Sequence, residues 1–159
     1  MFTDEDFQAI DLEQDDPTVI TLEIIEYAVI KTLVDQGSSV DILFWVTFQK
    51  INLREKDIIP CQEEIIGFLG ERVDIKGFIF LRTTFGKGNV TKTIKIRYLV
   101  VDACTSYNAL LGRSSLNKLG AIVSTPHLAI KFPTKKKEKL QLFILIKDQQ
   151  ENVIWQASK

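Results

Sequence analysis

Two short stretches of the chain carry residue types that can do chemistry. The first is Thr32-Leu33-Val34-Asp35-Gln36-Gly37-Ser38-Ser39. An apolar run delivers the Asp35 carboxylate onto a turn, Gly37 permits close backbone approach and unusual dihedrals, and Ser38 adds a hydroxyl within reach. A bare Asp-x-Gly arises in roughly one of two chains of this length, and requiring the apolar pair before it and the serine after it lowers that to about one in a hundred. Taken alone, the stretch reads best as a strand ending in an Asx-type turn. The second stretch is Ala109-Leu110-Leu111-Gly112-Arg113. Two apolar residues, a glycine and a helix start suit a strand that passes beneath a tight turn, where a side chain at 112 would clash. By itself it is an ordinary strand-to-helix corner.

Other reactive residues form weaker patterns. His127 is the single histidine, so no catalytic pair with a second histidine exists. Cys61 and Cys104 lack zinc-ligand spacing with it and read as buried, inert thiols. Neither a metal nor a cofactor is expected. Gly86-Lys87-Gly88 is too short for a phosphate loop, and Asn89-Val90-Thr91 is a glycosylation sequon without a sign of secretion. Trp45 reads as core.

The elements that must position these residues read as β structure. Thr18–Ile25 and Tyr27–Val34 are β-branched runs separated by a tight break at Glu26, a hairpin pattern. Asp41–Ile51 has a helical or mixed period. Glu64–Phe68 reads as a strand. Val73–Thr84 and Thr91–Val101 are long β-rich runs joined by a turn at Phe85-Gly86-Lys87-Gly88-Asn89. Ser114–Leu119 is a short helix, capped by Ser114 or Ser115 and ended by Gly120. Ala121–Ser124, Leu128–Phe132 and Leu140–Ile146 complete an all-β domain with one or two short helices.

Length and charge bound the partners. At 159 residues the chain holds one domain with tails, and 45% hydrophobic with 26% charged residues describes a soluble globular body. A net charge of −1 gives no global attraction to nucleic acid or membrane. Residues 1–16 carry seven acids and no base and read as a flexible acidic arm. Lys135, Lys136, Lys137 and Lys139 make a basic cluster that reads as a solvated loop, with an RNA contact as the lesser alternative. Acids follow Met1 where a signal peptide would carry bases, so the expected setting is intracellular and cytoplasmic.

Together the two motifs resemble the retropepsin-like aspartic protease domain of plant Ty3/gypsy-type retrotransposon gag-pol polyproteins. The likeness runs from Phe2-Thr3-Asp4-Glu5-Asp6 through Leu33-Val34-Asp35, Gly37-Ser38-Ser39-Val40-Asp41-Ile42-Leu43-Phe44, Gly67-Phe68-Leu69-Gly70-Glu71 and Tyr98-Leu99-Val100-Val101-Asp102. It continues through Ser106-Tyr107-Asn108-Ala109-Leu110-Leu111-Gly112-Arg113 and ends at Lys131-Phe132-Pro133-Thr134. It spans residues 2–134. The domain itself is drawn at 17–134, with 135–159 a lysine-rich loop and divergent tail.

The resemblance implies a small closed β-barrel of the acid-protease type with a flap hairpin. Asp35 would be the catalytic aspartate, one from each copy of a homodimer. Gln36, Gly37, Ser38, Leu110, Leu111, Gly112 and Arg113 would support the active-site loop, with Gly37 and Ser38 bonding the carboxylates. Gly67, Phe68, Leu69, Gly70 and Glu71 would form the flap over an extended peptide substrate. Asp41 and Asp102 read as solvated charges, with pairing to Arg113 as the alternative. The sequence departs from the family at Gln36, where a Thr or Ser usually braces the two loops across the dimer. A displacement of about 1 Å at a catalytic pair can cost about a hundredfold in rate. Two functions follow: an aspartic endopeptidase, or an inactive retropepsin fold serving as a dimerisation or scaffold module.

Overall fold

The computed structural model describes residues 18–62, 73–88, 90–124, 129–136, 139–146 and 155–158. The acidic arm 1–16 therefore lies outside the described residues, as does the strand expected at Glu64–Phe68.

Alternating burial builds the first hairpin. In β1 (Thr18–Ile24), Ile20, Leu22 and Ile24 point inward, and β2 (Tyr27–Val34) returns antiparallel to it with Val29, Thr32 and Val34 inward. Ile25 and Glu26 form the connection, with Ile25 at φ 60. The expected mixed segment at 41–51 divides into two elements. β3 (Asp41–Phe44) pairs parallel to a later strand, and α1 (Trp45–Lys50) starts at Phe44, which supplies no side-chain cap. That missing cap is why the sequence did not mark the boundary. A 3₁₀ turn at Glu55–Asp57 follows.

The longest pair is β4 (Asp74–Lys87) with β5 (Val90–Asp102), which runs past the expected turn residues to the pair Lys87–Val90. Its inward residues Ile79, Leu81, Phe85, Ile96, Tyr98 and Val100 fill the core. β6 (Ala109–Leu111) slips between β2 and β3, parallel to one and antiparallel to the other. The barrel closes in the order β1-β2-β6-β3-β5-β4. Closure covers most of the sheet edges that a small all-β domain must otherwise protect, although β1 meets β4 only at Thr83 and Thr84.

After the barrel come α2 (Arg113–Leu119) and a four-stranded sheet ordered β10-β9-β8-β7. Its strands are β7 (Ile122–Ser124), β8 (Ala129–Lys136), β9 (Lys139–Ile146) and β10 (Trp155–Ser158). β9 covers the strand expected at Leu140–Ile146, and β10 lies in the span drawn as a divergent tail. α2 begins one residue earlier than expected: Gly112 is its N-cap, and Ser115 is buried within it. Gly120 ends it as expected. Among the described residues no helix is long and apolar enough to cross a membrane.

One polar pair sits in the middle of the core. Tyr98, fully buried, shares a 2.8 Å hydrogen bond with buried Thr83, and burial pushes the phenol pKa up. Tyr98→Phe leaves Thr83 Oγ1 buried without its partner and should cost about 1–3 kcal/mol. Adding Thr83→Val should recover most of that loss in urea denaturation.

Candidate active site

Asp35 continues β2 by one step. Its N–H donates to the Leu111 carbonyl at 2.9 Å, extending the parallel β2–β6 pairing that aligns Val34 with Leu111. There the chain turns. Asp35 Oδ1 accepts the Gly37 N–H at 2.9 Å, and its carbonyl accepts the Ser38 N–H at 3.2 Å. The Asx-type turn read from the sequence is thus present, and it holds the carboxylate in one orientation. Asp35 is half-buried, with Gln36 and Gly37 exposed beside it.

Two details differ from expectation. Gly37 does not adopt a positive φ. A Cβ there would lie 3.2 Å from Asp35 Oδ1, so close approach rather than unusual dihedrals favours glycine. The Ser38 hydroxyl donates to the Val40 carbonyl at 2.8 Å and accepts the Val40 N–H at 3.2 Å, so it braces its own loop and not Asp35.

Gly112 passes directly beneath this loop. A Cβ there would run into the Val40 carbonyl and stand 2.7 Å from the Ser38 carbonyl oxygen. Backbone bonds flank the crossing: Arg113 N–H donates to Ser38 O at 2.8 Å, and Gly112 N–H donates to Asp41 Oδ1 at 2.7 Å. Leu110 is half-buried, Leu111 buried and Arg113 exposed. Arg113 makes no ion pair among the described residues.

Asp41 is the residue whose role the sequence reading missed. Only 4% exposed, it is neither a solvated charge nor a partner of Arg113. Burial raises its carboxyl pKa. Ser115, the Gly112 N–H and the more distant Lys118 oppose that rise, although the buried Ser115 hydroxyl completes no hydrogen bond of full geometry. The available signal was its setting in Val40-Asp41-Ile42-Leu43, where an acid flanked by strand-forming apolar residues needs an internal donor. Asp102 is exposed, at the far end of β5.

The flap residues Gly67, Phe68, Leu69, Gly70 and Glu71 lie outside the described residues. What borders them is defined. Ile59 and Phe78 exchange backbone hydrogen bonds of 2.8 and 2.9 Å, which returns the chain antiparallel on either side of that segment. Gly77, at φ +140, sits at the crossing, where a Cβ would collide with the Ile59 carbonyl. Cys61 is half-buried, and Cys104 is exposed, contrary to the expected burial of both. His127 is outside the described residues. Among the described residues no cluster of three potential metal ligands occurs.

Comparison with solved structures identifies the fold. The retroviral protease-like domain of Ddi1 from Leishmania major matches with a TM-score of 0.58 at 14% identity, over 75% of this chain and 90% of that one. The fold is retropepsin-like. A retropepsin-like aspartic protease from Rickettsia conorii matches with a TM-score of 0.51 at 19% identity, over 72% of this chain and 82% of that one. The protease of EIAV, in complex with the inhibitor HBY-793, matches with a TM-score of 0.52 at 22% identity, over 72% of this chain and 99% of that one. No protein-family model matches the sequence, and comparison with curated proteins finds no relative. The retropepsin-like fold is therefore shared at identities where little of the sequence is.

Two outcomes test the crossing. Gly112→Ala should destabilise the chain by several kcal/mol or prevent folding, about what burying a clash costs, read from denaturant midpoints. Asp41→Asn keeps an oxygen for the Gly112 N–H. The folded pKa of Asp41 is raised, so its contribution is fully present below the ordinary carboxylate range and is lost as pH rises through the folded value. The variant should therefore gain stability relative to wild type as pH rises above the ordinary carboxylate range, in thermal or urea denaturation.

Proposed function

We propose that this chain is an aspartic endopeptidase module that works as a homodimer, each copy supplying one Asp35. The observation that carries this reading is the Asp35 loop itself. A half-buried carboxylate is fixed by the Gly37 N–H and held from below by Gly112, at the end of a strand of a retropepsin-like barrel. The described residues contain a single such aspartate, so a second copy has to supply the other half of the site.

Two carboxylates brought that close share one proton. The ionised one takes a proton from a bound water, whose oxygen attacks the scissile amide carbonyl, while the protonated one donates to the carbonyl oxygen. Collapse of the resulting tetrahedral diol breaks the C–N bond, with the proton passing to the leaving amine. The substrate would be an extended peptide paired with strand-like hydrogen bonds, and residues 67–71 would cover it as a flap. The bridge at Ile59 and Phe78 supports that assignment. The likeness of residues 2–134 supports an origin in the gag-pol polyprotein of a plant Ty3/gypsy-type retrotransposon, with polyprotein as substrate. Two unbridged thiols favour a reducing, cytoplasmic setting.

Gln36 favours a second reading, an inactive dimerisation or scaffold module. Its side chain is exposed beside Asp35, where a compact hydroxyl would brace the partner loop. Peptide cleavage at acidic pH separates the two. The protease reading predicts activity that disappears in Asp35→Asn and rises in Gln36→Thr by about ten- to a hundredfold. A folded dimer that cleaves nothing, with or without Gln36→Thr, supports the scaffold reading.

A further inference from the structure

The outer face of the β4–β5 pair carries a feature that peptide hydrolysis does not use. On the face of β4 turned away from the main core stand Phe78, Phe80, Arg82 and Thr84, with Leu99, Arg97, Lys95 and Thr93 opposite them on β5. Leu99 is buried with Phe78 packed against it in a second apolar cluster, and Phe80, Arg82 and Lys95 are exposed. Phe78 and Phe80 pack edge to face at 5.7 Å. The Arg97 guanidinium lies 4.1 Å from the Phe78 ring centre, and Lys95 Nζ lies 5.1 Å from that of Phe80. The rings hold these cations over the sheet. Arg82 and Lys95 are directly opposite one another and make no ion pair among the described residues. Like charges so placed repel, a cost that an anionic partner removes.

Beside this row lies a cavity of about 400 Å³ lined by Ile25, Glu26, Phe80, Leu81, Arg82 and neighbouring threonines. Ile25 and Phe80 are 41% and 45% exposed, large apolar side chains left facing solvent at its rim. The backbone adds a third element. Phe78 and Arg82 direct their hydrogen-bonding groups to the outer edge of β4, bonding Ile59 and Ile25 there. Phe80 between them directs its N–H and C=O the same way, and no described backbone group pairs with them. The acids nearby are Glu26 at the rim, Glu23 across from Thr84, and Asp74, which Lys76 already pairs.

We propose that this face docks an acidic, extended peptide segment. Its carboxylates would meet Arg82 and Lys95, one apolar side chain would enter the cavity between Ile25 and Phe80, and its backbone would pair with Phe80. Charge complementarity and the open strand position favour a peptide over nucleic acid, because Lys95 and Arg97 already cover the ring faces on which bases would stack. The chain's own residues 1–16, with seven acids, no base and Phe2, Phe7, Ile10 and Leu12, have the chemistry required and supply the probe.

A fluorescent peptide of that sequence is titrated into the full-length chain, whose own arm is neutralised so that it does not compete (Asp4, Asp6, Asp11, Asp15 and Asp16 to Asn, Glu5 and Glu13 to Gln). The peptide's footprint is mapped by amide chemical shifts. Saturable binding is expected, with shifts at residues 78–84 and 91–97. Phe80→Ala and the pair Arg82→Glu with Lys95→Glu should each weaken it about tenfold or more, with thermal denaturation unchanged. Lys50→Glu, remote from the face, should leave it intact. No binding, a footprint elsewhere, or tighter binding of a ten-nucleotide oligouridylate at this face would overturn the proposal.

Discussion

Everything at the candidate site depends on one backbone crossing, the passage of Gly112 beneath the Ser38–Val40 carbonyls. There is room for a hydrogen atom and for nothing larger. Around it, Asp35 N–H, Arg113 N–H and Gly112 N–H each find an acceptor on the opposing segment or in Asp41. Because β6 lies between β2 and β3, the crossing also joins the two halves of the barrel. The strand that presents the carboxylate, the helix that follows Gly112 and the closure of the sheet are therefore one mechanical unit.

Such a unit explains how a half-exposed aspartate keeps a fixed orientation without a charged partner. Its position comes from backbone bonds, which are short and inextensible, and among the described residues its side chain accepts only the Gly37 N–H. The arrangement has its own cost in Asp41, a carboxyl group removed from water to satisfy the Gly112 N–H. On the proposed reading a second copy supplies the other carboxylate, and Gln36, exposed beside Asp35, takes the position of the brace between the two loops.

Legibility in the sequence followed the physics of each element. The β1–β2 and β4–β5 hairpins were readable because alternation, β-branching and turn residues all agreed, as was Gly112, whose need for space is implied by two apolar residues before it and a helix after it. The α1 boundary was not readable, since Phe44 caps nothing and the apolar spacing of 41–51 fits both a strand and a helix. Asp41 was misread because a lone acid defaults to solvent, and its acceptor role depends on Gly112, a residue far away in the chain. Ser38 was placed near the carboxylate by sequence proximity, whereas its hydroxyl follows the turn to Val40. Cys104 was expected inside on composition alone, and its loop after β5 leaves it outside.

The central claim is that two copies build one site from their Asp35 residues. Titration of a pepstatin-type inhibitor into the full chain, with stoichiometry read by calorimetry, tests it most directly. The account predicts saturation at one inhibitor for every two chains, with binding lost in Asp35→Asn. Binding of one inhibitor per chain, or no binding at any concentration where the chain is dimeric, would contradict it.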